Sequence, residues 1–326
     1  MKSILIIGSA DTSYGINTIL EQDSTKIVEG LYGVDSPLTK AFKYFAVVSD
    51  VKIYLANTPY KSDYIDIVNT ARHSNLDFII PLGIKFSDEA TDVISGAKHS
   101  YTELLLKSIG QASETILVMT DNHASLYEDI DHYLKDMFNK IKAYKKKSKL
   151  LKQHGRQLWL VANNLKHISH ANAMLCAAVC HNAIGSYPNY DFPEAIFDID
   201  LFDVKKHELI YFKNNTYSYT SIENFKNFSL DQIPEKIIPI DLVIRQINKE
   251  LDLTKFCGQL LSNVTKLKIR TEVLNYLDSI KGRMIRGYEF QDIQIDLKAD
   301  YTYTITAYFY ILPINSLEKS LVVIAT

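Results

Sequence analysis

Tryptophan and cysteine are nearly missing from this chain of 326 residues, which has one tryptophan and three cysteines. An odd, small cysteine count argues against a disulfide framework and for synthesis in a reducing compartment. No charge sign dominates: 36 Lys and Arg face 38 Asp and Glu, for a formal net charge of -2. Nothing global draws the chain to nucleic acid or to an anionic membrane. The N-terminal MKSILIIGSAD holds one lysine and a run of four apolar residues, too short for the apolar region of a signal peptide. No stretch approaches the roughly 18 apolar residues that span a bilayer. The expectation is a chain made in the cytoplasm that stays soluble, contacts no nucleic acid directly and inserts into no membrane.

The usual chemical motifs are missing as well. Gly8 to Gly15 (GSADTSYG) makes a glycine turn after an apolar strand. It lacks the second glycine that lets backbone approach a pyrophosphate and the Gly-Lys-Ser/Thr end of a phosphate loop. Cys176 and Cys180 lie four apart on a helix among Ala173, Ala177, Ala178 and Ala183, with His167, His170 and His181 nearby. That setting favours cysteine as a small apolar residue over zinc ligation. Asp198, Asp200 and Asp203 have no glycine-centred loop that would make a calcium site. Lys140, Lys142, Lys145, Lys146, Lys147, Lys149 and Lys152 follow Glu128, Asp129 and Asp131 on one helix, which complements the helix dipole. With only Tyr144 interleaved, they read as a solvated helix end and not as a nucleic-acid patch. There is no G-x-S-x-G elbow and no H-E-x-x-H pair. No catalytic residue, cofactor or metal is expected. The enzyme reading that stays open is a soluble α/β protein taking a small ligand near Gly8, Asp11 and Ser13.

What the chain does have is 47% hydrophobic residues, enough for a sizeable core, and 21 tyrosines. Tyrosine-rich surfaces suit protein contacts. The first two-thirds alternate short apolar strands with helices. Strands are expected at Ile4–Ile7, Val51–Ala56, Phe78–Leu82, Thr115–Thr120 and Gln157–Val161. Helices are expected after Ser36-Pro37, after Ser62, over Tyr101–Ile109 closed by Gly110, from Ser125 to about Lys149, and over Ser169–Ile184. This is the βαβ pattern of a mostly parallel sheet covered by helices on both faces. Near Tyr187 the style changes to an irregular, proline-punctuated stretch. Helices return over Asp241–Leu251, Phe256–Leu267 and Thr271–Ile280, with Gly282 at a C-cap position. The fold class predicted is α/β, residues 1–205, followed by an α+β region, residues 206–326, with helices and a β-hairpin. No repeat or low-complexity linker separates them.

The last forty residues carry the clearest pattern. Tyr288 to Leu297 alternates as a strand, and Tyr301 to Ile311 is a second strand of strict period two. Tyr301, Tyr303, Ile305, Ala307, Phe309 and Ile311 point one way and the intervening Thr and Tyr residues the other. Leu321 to Ala325 adds a final apolar strand. Apolar edges of this kind invite another strand, from this chain or from a neighbour. Lys266, Lys268, Arg270, Lys281, Arg283 and Arg286 flank the preceding helix, either as a solvated face or as a contact for an acidic partner.

In this order the elements resemble the contractile tail sheath proteins of myophages and related injection systems. Leu5–Asn57 carries a Gly8-Ser9-Ala10 strand end, then Glu29-Gly30-Leu31-Tyr32-Gly33, Ser36-Pro37-Leu38, the helix Ala41–Phe45 and a strand. His170–Tyr187 is similar to the Ala-rich packing helix of sheath subunits. Ile238–Ala325 is similar to their C-terminal paired helices, basic helix, hairpin and closing strand. The resemblance implies a non-enzymatic structural subunit, needing no cofactor, that polymerises helically around a tail tube and contracts to drive it through a host envelope. It also implies partners: further copies of itself, the tube protein, and baseplate and tail terminator proteins. Its place would be the phage tail of the virion. Neighbouring subunits would exchange strands by β-augmentation, through Tyr301, Tyr303, Ile305, Phe309 and Ile311 with Leu321, Val322, Val323 and Ile324. Lys266, Lys268, Arg270, Lys281 and Arg283 would face the tube. Sheath proteins carry an N-terminal arm before the first core strand and often decorating insertions. With the first strand starting at Ile4, both are expected to be absent, and linkage to fall on the C-terminal strand. A sheath-related cap or baseplate ring is the variant reading.

Overall fold

The computed structural model describes residues 2–72, 74–91, 98–110, 115–147, 157–181, 193–196, 209–213, 216–218, 243, 246–247, 250–251, 253–256, 262–297 and 303–313. The chain divides into two compact units, Met1–Asn182 with Pro188–Glu235 and Ala183–Tyr187 with Lys236–Thr326.

In the first unit, strands β1 (Lys2–Gly8), β2 (Ile19–Gln22), β3 (Val51–Asn57), β4 (Phe78–Pro81), β7 (Ile116–His123) and β8 (Leu158–Asn163) form one six-stranded sheet in the order β2-β3-β1-β4-β7-β8. All neighbours are parallel except β2, which runs antiparallel along β3. The parallel strands thus have the doubly wound order, with a switch point between β1 and β4. Burial on both faces explains their unbroken apolar runs: Ile4, Leu5, Ile6 and Ile7 are all fully buried. Leu5 and Ile7 pack with residues of α3 (Asp63–Ala71), α4 (Tyr101–Ile109) and α5 (Ile130–Lys147). On the other face, α2 (Pro37–Lys43) contacts β1, and α6 (Ala171–His181) contacts β7 and β8. The mostly parallel, helix-covered sheet read from the sequence is therefore present. Two short ribbons, β5 (Glu89–Thr91) with β6 (Lys98–Ser100) and β9 (Tyr211–Lys213) with β10 (Thr216–Ser218), complete the described strands of this unit.

Some boundaries differ from expectation for local reasons. The stretch before Gly33, where no helix is expected from the sequence, is helix α1 (Thr25–Tyr32), which tolerates Gly30 because Val28 and Tyr32 are buried on one face. Ser36 caps α2 as predicted, its Oγ accepting from Thr39 N at 3.2 Å, with Pro37 at the first position. Ser62 precedes α3 but has αR backbone and accepts no cap bond; its hydroxyl donates to Asp63 instead. The long helix begins at Ile130, after a 3-10 turn at Ala124–Leu126. Gly110 closes α4 at φ +84, its N–H bonded to Leu106 O.

In the second unit, α7 (Asn263–Ile280) lies against a long antiparallel ribbon of β11 (Ile285–Leu297) and β12 (Tyr303–Pro313). Two helices were expected over Phe256–Leu267 and Thr271–Ile280. Instead Phe256 ends a 3-10 turn and a single helix starts at Ser262, whose Oγ accepts from Thr265 N. Nothing between Leu267 and Thr271 breaks a helix, so the cap at Ser262 decides the start. Val243 and Ile247, both buried, join the α7–hairpin core.

Candidate assembly surface

The hairpin is a two-layer element with the helix. Tyr288, Phe290 and Ile293 face Ile311, Phe309 and Ala307 across the ladder. These side chains pack on Ile269, Val273, Leu277 and Ile280 of α7. A two-stranded ribbon is marginal in isolation, and this helix supplies the missing layer. Positions of opposite parity turn outward. Leu312 stands opposite Gly287, Tyr310 opposite Glu289, and Tyr308 opposite Asp292. Register shifts between Ile285 and Gly287 and between Phe290 and Asp292 keep the apolar set inward along β11. Among the described residues, β11 and β12 pair only with each other. Among the described residues neither strand has a partner on its second edge, the arrangement to which β-augmentation adds a strand.

Of the residues read as strand-exchange positions, Phe309 and Ile311 lie in β12 with side chains turned to α7. What they offer a neighbour is backbone. Tyr303 and Ile305 are in β12, paired with Leu297 and Ile295. Tyr301, Leu321, Val322, Val323 and Ile324 lie outside the described residues.

The basic set is exposed throughout: Lys266, Lys268 and Arg270 on α7, Lys281 and Arg283 in the turn after it. They do not form one face. At about 100° per residue, Lys266 and Arg270 share a side, while Lys268 lies about 160° round the helix. Arg270 also stacks over Phe290, 5.1 Å from the ring centroid. Gly282, at φ +79, turns the chain between Lys281 and Arg283.

At the switch point, Gly8 packs closely against two leucines. A Cβ on Gly8 would come within 3.0 Å of Leu82 Cδ1 and 3.4 Å of Leu38 Cδ2. No helix begins after Gly8; the chain loops back to β2. Buried Asn57 holds that loop, accepting from Ala10 N at 3.0 Å and donating to Thr12 O and Tyr14 O at 3.0 and 2.9 Å. Asp11 N donates to Tyr32 O and its side chain lies against Gly33. Gly8, Asp11 and Ser13 thus belong to a pinned connection.

Past the switch point, a cleft of about 260 Å3 runs along the carboxyl ends of β4, β7 and β8, bordered by Lys85, Asp121, Asn122, His123, Asn163 and His170. Its carboxylate, Asp121, is paired within the protein. Lys140, read from sequence as part of a solvated basic end, reaches Asp121 at 2.6 Å and Asp136 at 2.7 Å. Burial lowers the Lys140 ammonium, but its bonds to the two carboxylates outweigh that and hold it above its ordinary value. The Asp121 side chain is fully buried and also accepts from Ser87 N and Asn122 N. Tyr144 is buried and stacks on Phe86; Lys149 and Lys152 lie outside the described residues. Burial drives the Cys176 thiol well above its usual value and Cys180 up to about 12, as suits packing groups. No metal-binding cluster occurs among the described residues, and Asp198, Asp200 and Asp203 lie outside them. No described helix is long and apolar enough to cross a membrane.

No protein-family model and no curated protein matches the sequence. Solved structures do match along its whole length. The contracted helical sheath of the anti-feeding prophage is 10% identical, with a TM-score of 0.56, covering 100% of this chain and 92% of the other. The contracted baseplate of the same particle gives 9% identity, a TM-score of 0.57, and 100% and 92% coverage. The sheath tail protein of Desulfitobacterium hafniense gives 9% identity, a TM-score of 0.58, and 97% and 94% coverage. The chain has the fold of contractile sheath proteins.

Proposed function

We propose that the chain is a structural, non-enzymatic subunit of a contractile tail sheath. Copies polymerise helically around a tail tube, and contraction drives the tube through the host envelope. Residues 1–205 serve as the sheath core and 206–326 as the region that links subunits. The observation that carries this is the match across both units to a sheath tail protein, 97% of this chain against 94% of the other. The loop after Gly8, pinned by Asn57 and followed by no helix, supports an assembling role over a nucleotide-binding enzyme. Partners are further copies, the tube protein, and baseplate and terminator proteins, within the tail of a virion or a related particle.

Linkage runs through the open ribbon edge. Leu321–Ile324 of one copy adds to the Tyr301–Ile311 strand of another, using ladder hydrogen bonds. Lys266, Arg270, Lys281 and Arg283 meet the tube, with Lys268 on the other side of α7. Removing Leu321–Thr326 leaves the α/β core folded, with unchanged far-ultraviolet dichroism, but abolishes ordered tubules in negative stain. Intact tubules from the truncated protein contradict the linkage. Discrete rings from the full chain indicate a cap or baseplate ring, and monomers under every condition defeat the sheath reading.

A further inference from the structure

Among the described residues of the second unit, the large apolar side chains left exposed are Val264, Leu267, Tyr308, Tyr310 and Leu312, at 62, 63, 45, 68 and 61%. They form two patches. Val264 and Leu267 sit on the outer side of α7, away from its buried stripe of Thr265, Ile269, Val273 and Leu277. Tyr308, Tyr310 and Leu312 sit on the outer side of the hairpin. Helix and hairpin pack through their inner faces, so the two patches stand back to back and cannot meet within one copy.

They carry opposite charge. The α7 patch borders an open cleft of about 500 Å3 lined by Lys255, Phe256, Leu267, Lys268, Thr271 and Glu272. Lys255 is ion-paired with Glu272, which leaves Lys268 to set the sign of the rim. On the hairpin, Tyr310 stands beside Glu289 and Tyr308 beside Asp292, and both carboxylate residues are exposed. A tyrosine ring fits an apolar cleft while its hydroxyl stays at a polar rim.

We propose that the outer hairpin face of one copy docks on the outer α7 face of a second copy. A tyrosine of β12 seats against Phe256 and Leu267, and Glu289 and Asp292 meet Lys268. The contact joins two different surfaces, so it propagates into a ring or an open helix and does not close as a dimer. Five apolar side chains fall short of the roughly 1,000 Å2 a stable isolated interface needs. The contact therefore acts beside strand exchange within an assembly. The inference rests on the assembling role proposed above, and it adds a surface that role does not require.

Introduced cysteines test it in full-length protein with Cys257→Ser, against the parent that keeps only Cys176, buried in α6, and Cys180, half-buried there. Under assembly conditions with mild oxidant, Leu267→Cys alone and Tyr310→Cys alone give little cross-linked dimer. Their mixture gives a dimer band several-fold stronger, and the double variant gives a ladder of higher oligomers. A second arm is charge exchange. Lys268→Glu and Glu289→Lys each reduce cross-linking, and the two together restore it. No excess of mixed dimer overturns the proposal. Tubules without mixed dimers leave the sheath reading intact, whereas mixed dimers without tubules or rings count against that reading alone. If Leu267→Cys instead cross-links to a tube subunit, the α7 face belongs to the tube and the proposal fails.

Discussion

At the residue scale, the determining features are buried polar groups that sequence pattern does not distinguish from surface ones. Asp121 is closed off from solvent and held by Lys140 and two backbone N–H groups. Removing one partner of a buried pair strands the other charge. Asp121→Asn is expected to lower unfolding free energy by about 3 kcal/mol in urea titrations. The exposed pair Lys43–Glu29, 2.7 Å apart, is a control: Glu29→Gln should cost about 0.5 kcal/mol or less. His170 gives a pH signature. Burial, reinforced by Lys40, lowers its imidazole from 6.5 to about 4. The unfolded chain then binds the proton more readily than the folded one. The contribution is complete above 6.5, and stability falls as pH drops from there towards 4. His170→Gln should shrink the stability difference between about pH 7 and about pH 5, and an unchanged difference would place the titrating group elsewhere.

At the element scale, capping separates what a serine before a helix suggests from what it does. Ser36 accepts the N–H of Thr39 and is fully buried, whereas Ser62 makes no cap bond. Ser36→Ala should cost about 1 kcal/mol and Ser62→Ala only a few tenths, at about 0.3 kcal/mol, by thermal or urea unfolding. The hairpin's inward and outward sides were readable from period two, since alternate side chains must face opposite ways. Its support by α7 was not readable as a single helix, because the break at Ser262 depends on which hydroxyl reaches a free N–H. Helix α1 was missed because Gly30 and Gly33 signal a turn, and only burial of Val28 and Tyr32 outweighs that signal.

At the scale of the whole molecule, the proposed tube contact is electrostatic and should behave so. Reversing Lys266 and Arg270 to Glu should weaken co-sedimentation with tube, and added salt should weaken the wild-type interaction in parallel. Docking that is unchanged and insensitive to salt would remove these residues from the tube face. The parallel sheet shows why a glycine turn after a strand is weak ground for nucleotide binding. Gly8 has a packing reason of its own, since a side chain there would crowd Leu82 and Leu38.

The sequence by itself determined the alternation of apolar strands and helices, hence a helix-covered parallel sheet. It also determined the period-two hairpin, because both follow from local periodicity and burial of one or two faces. The order of its elements already suggested a sheath protein. Only the tertiary structure decided what long-range packing decides: the strand order, the packing of Leu82 and Leu38 against Gly8, and the recruitment of Lys140 into a network with Asp121, 19 residues away. These depend on partners distant in the chain, whose meeting no local pattern encodes.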